Sequence, residues 1–137
     1  MTKRELARQL ARLLATQPGF TVDANGNPLA RGFTVGGLKR DAGDALARFS
    51  QPTNPVELDA LTAAVAETLD AVTDLLQDGA YVGGWHQDGD LVLDLVTVTR
   101  GQKRAARLAL ERQQLAYGQI DNYQYVNEWR VSNGDEL

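Results

Sequence analysis

The run Leu91 to Val98, LVLDLVTV, constrains the fold more than any other stretch of the chain. Its alternating side chains are apolar in both sets, Leu91, Leu93 and Leu95 in one and Val92 and Val96 in the other. A strand of that pattern needs cover on both faces, so it belongs at the centre of a sheet. Asp94 breaks the pattern, and a carboxylate in such a strand needs either a partner or a raised pKa. It is therefore read in two ways, as a residue held by a structural salt bridge or hydrogen bond, or as a catalytic acid. Directly upstream, AYVGGWHQDGD reads as the first arm of a hairpin over residues 80–98 that turns at Asp88-Gly89. Gly83 and Gly84 mark a bulge or a close approach of another segment. Trp85 and His86 then border a pocket, or are ordinary residues beside a turn.

Helices supply the cover. Thr2 and Glu5 have capping-box spacing, Leu6, Leu10, Leu13 and Leu14 form a stripe, and Pro18-Gly19 stop a helix over 1–18. Asn54, Pro55 and Glu57 open the longest helix, expected over 54–78 and closed by Gly79. Its buried stripe is Leu58, Leu61, Val65, Leu69, Val72 and Leu76. A third main helix is expected over 99–115, with Thr99 and Gln102 at capping spacing and Ala105, Leu108, Ala109 and Leu115 facing the sheet. Between the first two, GFTVDANGNPLARGFTVGG reads as a hairpin over 19–37 with a long connection, Phe20 and Val22 answering Phe33 and Val35. Its rival reading, a calcium loop at Asp23, Asn25 and Asn27, lacks the later carboxylates of an EF-hand. Residues from about Asp41 to Phe49 suggest a short helix, and 116–131 one or two closing strands. The strand at Leu91, the helix after it and the strand near Tyr117 suit a right-handed crossover unit.

Charge is segregated along the chain. The net charge of −4 is what remains of +5 over residues 1–40, −10 over 41–98 and +1 over 99–137. Arg4, Arg8 and Arg12 make a basic ridge on the first helix, while Asp59, Glu67, Asp70, Asp74 and Asp78 make an acidic face on the long one. Either these parts face each other in the fold, or an acidic face is left for a basic partner. Arg100, Lys103, Arg104 and Arg107 crowd the opening of the third helix, where the backbone dipole is already positive, so they want an anion or an acidic side chain. Tyr117, Tyr123, Tyr125 and Trp129 cluster near the end, as core or as a contact patch.

Most common chemistries lack their residues. There is no cysteine, and the single histidine supports neither a zinc site nor a nucleophilic triad. The Gly36-Gly37 and Gly83-Gly84 pairs lack the spacing and lysine of a phosphate loop. Carboxylate-only magnesium binding at Asp88, Asp90 and Asp94 stands against the simpler reading of Asp88 and Asp90 as turn residues. Neither a membrane span nor a secretory signal is legible, which makes the cytoplasm of a bacterial host the expected compartment. With 43% apolar and 23% charged residues in 137, the composition is that of one ordered domain.

The block YVGGWHQDGDLVLDLVTV followed by AARLALERQQLAY resembles a set of small proteins of unknown function from actinobacterial phages and integrated elements. The shared pattern is an aromatic-x-Gly-Gly-Trp hairpin, an apolar-Leu-Asp strand and a helix of A-x-x-L-A-x-x-x-x-Q rhythm. It is carried here by Tyr81, Gly83, Gly84, Trp85, Leu93, Asp94, Ala105, Leu108, Ala109 and Gln114. This chain departs from it in placing Arg100, Lys103 and Arg104 where acids open the helix, and in the final AYGQID. The resemblance implies a phage or mobile-element context and no known activity. Eleven arginines against three lysines, with eighteen alanines and one isoleucine, fit a GC-rich coding sequence.

The expectation is a single α+β domain, an antiparallel or mixed sheet of two hairpins and a C-terminal strand covered by three main helices. The expected function is a non-catalytic interaction protein of phage or prophage type that binds a host or phage protein or itself, with no cofactor or metal. Its candidate surface is Trp85, His86, Asp94, Arg100, Lys103, Arg104, Arg107, Tyr123, Tyr125 and Trp129. Two alternatives stay open. One is a small enzyme or anionic-ligand site near Trp85, His86 and Asp94; the other is a nucleic-acid accessory protein using Arg4, Arg8, Arg12 and the Arg100–Arg107 cluster, although the acidic balance makes nucleic acid the less favoured partner.

Overall fold

The computed structural model describes residues 1–38, 45–114, 116–119 and 122–125. In chain order the elements are α1 (Lys3–Thr16), β1 (Gly19–Val22), β2 (Phe33–Val35), β3 (Ala47–Phe49), α2 (Pro55–Asp70), α3 (Thr73–Gln77), β4 (Tyr81–Gln87), β5 (Asp90–Thr99), α4 (Gln102–Glu111), β6 (Ala116–Gln119) and β7 (Asn122–Tyr125). The chain is a mixed α+β domain, and every strand pairing in its seven-stranded sheet is antiparallel.

β5 is the axis of the sheet, as its two apolar faces require. Along one edge it pairs with β4 from Gln87↔Asp90 to Tyr81↔Val96, across the expected two-residue turn. Positive φ at both Asp88 (53°) and Gly89 (85°) makes that turn one whose twist matches the strands it joins. The other edge of β5 is shared. β3 pairs with residues 91–93 and β2 with residues 97–99, and among the described residues no strand pairs with residues 94–96 on that side.

Two cores lie on the sheet. Leu91, Leu93 and Leu95 pack with Leu6, Leu10 and Leu14 of α1 and Leu61, Val65 and Leu69 of α2. Each such leucine contributes roughly 1.5–3 kcal/mol through burial. A smaller cluster joins Val35 and Tyr117 to Ala105, Ala106 and Ala109 of α4, with Phe33 and Tyr117 rings edge to face at 5.9 Å. Both helix starts form as their sequences dictate. The Thr2 hydroxyl accepts from Glu5 N (3.1 Å) while Glu5 accepts from Thr2 N, and Asn54 Oδ1 accepts from Glu57 N at 2.8 Å.

The 19–37 hairpin does not form. β1 pairs with β4, and β2 with β5 and β6, so the two strands lie on opposite sides of the β4–β5 pair and feed different cores. The tight turn is real, but its return is immediate. Asp23 Oδ1 accepts from Asn25 N and Asn27 N, both at 2.9 Å, and Leu29 N then donates to Thr21 O.

Three helical expectations also shift. Residues 47–49 are β3 rather than helix, because the free edge of β5 offers Ala47 and Phe49 a ladder to Leu93 and Leu91; residues 41–44 lie outside the described residues. The long helix divides into α2 and α3 at Val72, whose φ of −126° and ψ of 23° are not helical. Lys3 Nζ bridges that break, donating to Asp70 Oδ1 at 2.6 Å and Thr73 Oγ1 at 3.0 Å. Finally, α4 starts after Gly101, not Thr99. Thr99 is buried, pairs with Phe33, and turns its hydroxyl to Gly101 O.

β5 and β6 both run antiparallel to β2, so they point the same way and α4 makes the crossover between them with β2 inserted. No helix among the described residues is long and apolar enough to cross a membrane.

Candidate functional site

Asp94 sits where β5 changes neighbours. Its side chain is fully buried in the gap between the end of β2 at Val35 and the start of β3 at Ala47. There Oδ2 accepts from Gly37 N and Oδ1 from Leu95 N, each at 2.9 Å, and the Leu46 N–H also stabilises the charge. The carboxylate thus holds the N–H of Gly37, just after β2, and that of Leu46, just before β3. Burial pushes its pKa up to about 6, against the opposing pull of those N–H groups and of the Arg112 charge. Two glycines make the approach possible, since a Cβ on Gly36 would meet Asp94 Oδ2 and Gly37 has a φ of +74°.

Arg112, which no sequence motif marks, holds the same junction from α4. Its Nη1 donates to Val35 O (3.0 Å) and Gly36 O (3.3 Å), and Nη2 to Thr97 Oγ1 (2.8 Å). Two of these bonds hold backbone carbonyls and the third the Thr97 hydroxyl, rather than the Asp94 carboxylate. The only clue in the sequence is a single arginine following an amphipathic helix, which by itself reads as a solvated end.

Trp85, His86 and Asp94 do not form one centre. Trp85 lies opposite Val92 and His86 opposite Leu91, so alternation puts Trp85 on the Asp94 side of the sheet and His86 on the other. His86 Nε2–H donates to Leu14 O at 2.7 Å, satisfying one of the last carbonyls of α1. Trp85 Nε1–H donates to Gln87 Oε1 at 3.2 Å. The Gly83-Gly84 pair serves packing, because the Phe20 ring occupies the space where a Gly84 side chain would project.

Arg100, Lys103, Arg104 and Arg107 are all exposed at the opening of α4, and none makes a hydrogen bond or ion pair among the described residues. Their expected pairing with the acidic middle segment is not made there. In the aromatic group, Tyr117 is core, its hydroxyl accepting from Gln102 Nε2 at 2.8 Å. Tyr123 and Tyr125 lie on β7, while Trp129 falls outside the described residues.

The acidic segment instead meets the N-terminal helix. α1 and α2 run antiparallel, tied by Lys3 to Asp70 at one end and by Gln51 Nε2 to Ala15 O at the other. Between them lies a groove of about 760 Å³. Arg4, Arg8 and Arg12 form one wall; Asp59, Glu67 and Asp70 form the other; Leu58, Thr62, Ala63 and Ala66 lie along its α2 side. Apart from Lys3–Asp70 at 2.6 Å, no ion pair within 4.0 Å closes this groove among the described residues. Both charged rows are legible in the sequence. What spacing does not reveal is that small side chains at positions 63 and 66 leave them facing each other across open space.

No family model, curated protein or solved structure matches the chain.

Proposed function

We propose that the chain is a non-catalytic interaction protein of phage or prophage type that binds a host or phage protein through the α1–α2 groove. The observation that carries this reading is the groove's pair of oppositely charged walls, which suits a protein surface bearing both signs. A nucleic-acid backbone would meet Asp59, Glu67 and Asp70 beside the arginines, which opposes that use. The separation of His86 from Asp94, and the engagement of Asp94 with backbone donors, leave the catalytic alternative without an assembled centre. The resemblance to actinobacterial phage proteins supports the biological context.

Light scattering after size exclusion, followed by capture from an actinobacterial lysate, tests the reading. The tagged chain is expected to self-associate or retain a partner, and the Arg8→Glu/Arg12→Glu variant to lose it. A strict monomer that retains nothing overturns the proposal. A second reading, binding of a small anionic ligand, is favoured by the four cations at the opening of α4, which are unpaired among the described residues. Titration with pyrophosphate, in parent and in Arg100→Ala/Arg104→Ala, tests it; equal heats for the two proteins would remove it.

A further inference from the structure

We infer that the occupant of the α1–α2 groove is a second copy of this chain, docked about a two-fold axis that runs along the groove. The inference rests on the reading above and names its partner. The groove is its own complement. A two-fold axis along its length carries α1 of one copy over α2 of the other, so Arg4, Arg8 and Arg12 meet the partner's acidic wall, and the reverse holds by symmetry. An axis across the groove would place α1 on α1 and arginine on arginine, so the charge pattern selects one docking over the other.

The rows are free to make these contacts. Arg4, Arg8, Arg12, Asp59 and Glu67 are exposed and make no ion pair within 4.0 Å among the described residues. Arg8 and Arg12 also line a second concavity of about 340 Å³ on the far side of α1, so they stand as a ridge that can insert between the partner's helices. Helices of 14 and 16 residues are ~21 and ~24 Å long and pack about 10 Å apart, giving a footprint on the order of 500 Å² per copy. That is below the roughly 800 Å² per partner of a standard interface, so the dimer is weak and salt-sensitive.

Sedimentation equilibrium at low and high salt tests the inference. The dissociation constant is expected to rise at least about tenfold between about 0.02 M and 0.5 M sodium chloride. Arg8→Glu/Arg12→Glu and Asp59→Lys/Glu67→Lys should each be monomeric alone, while an equimolar mixture should form a heterodimer, because every facing pair is then again of opposite sign. Circular dichroism of each variant checks its helices, and recovery in the mixture shows that loss of self-association did not come from unfolding. A monomer at low salt that still retains a lysate protein through the groove overturns the dimer and leaves the interaction reading standing. A monomer that retains nothing overturns both. A dimer indifferent to salt, or a mixture that stays monomeric, also overturns the inference.

Discussion

Replacing Asp94 by asparagine separates the cost of burying its charge from the value of its hydrogen bonds. Burial raises the carboxyl from its ordinary 3.8 to about 6. The folded state therefore holds the proton over a range in which the unfolded chain has released it, and stability falls as pH rises from about 4 to about 6. Two pKa units at roughly 1.4 kcal/mol each amount to about 3 kcal/mol, of which about 2–3 kcal/mol is expressed between pH 4 and pH 7.5. The substituted asparagine does not titrate, and its amide would turn an N–H toward either Gly37 N or Leu95 N, a mismatch that costs about 1–3 kcal/mol at any pH. Urea unfolding of parent and Asp94→Asn across this range should give a stability difference that shifts by about 2–3 kcal/mol in the parent's favour toward acid. Every other titrating group cancels in that difference. Parallel curves, separated by a constant amount, would refute the raised pKa and require a compensating cation beside the carboxylate.

Other substitutions probe the same architecture. Gly84→Ala drives a methyl into the Phe20 ring and toward Leu14, so the β1–β4 contact should loosen and thermal unfolding show a loss of about 1–3 kcal/mol; an unchanged melting temperature would mean the ring moves away freely. Asn54→Ala removes the cap on Glu57 N and should cost about 1 kcal/mol by urea titration. Lys3→Met breaks an exposed bridge to Asp70 and Thr73, so at most about 1 kcal/mol should be lost, and less at high salt. Arg112→Met leaves Val35 O, Gly36 O and Thr97 without their donor, and should accelerate amide exchange in β2 before it does so in β4.

What was legible in the sequence was local or strongly periodic. The β4–β5 hairpin follows from a two-residue Asp-Gly turn between apolar runs, and the starts of α1 and α2 follow from their caps, since each depends on residues a few positions apart. The first hairpin failed because identical apolar patterns in β1 and β2 say which face is buried and nothing about the neighbour. β3 was missed for a related reason, as Ala47 to Phe49 extend only because β5 presents an open edge there. Thr99 had the right spacing to cap α4, but a ladder to Phe33 and burial outweighed it. At the candidate site, Asp94 could be singled out as a carboxylate inside an apolar strand. Its partners could not, because backbone N–H groups of Gly37 and Leu46 carry no side-chain signature.

The docking of two copies through the α1–α2 groove is tested most directly by following backbone amide resonances as the protein is diluted at low salt. The account predicts concentration-dependent shifts confined to α1 around Arg4, Arg8 and Arg12 and to α2 around Asp59, Glu67 and Asp70, vanishing at high salt, with β5 and α4 unmoved. Shifts centred on α4, or none at any concentration, would contradict it.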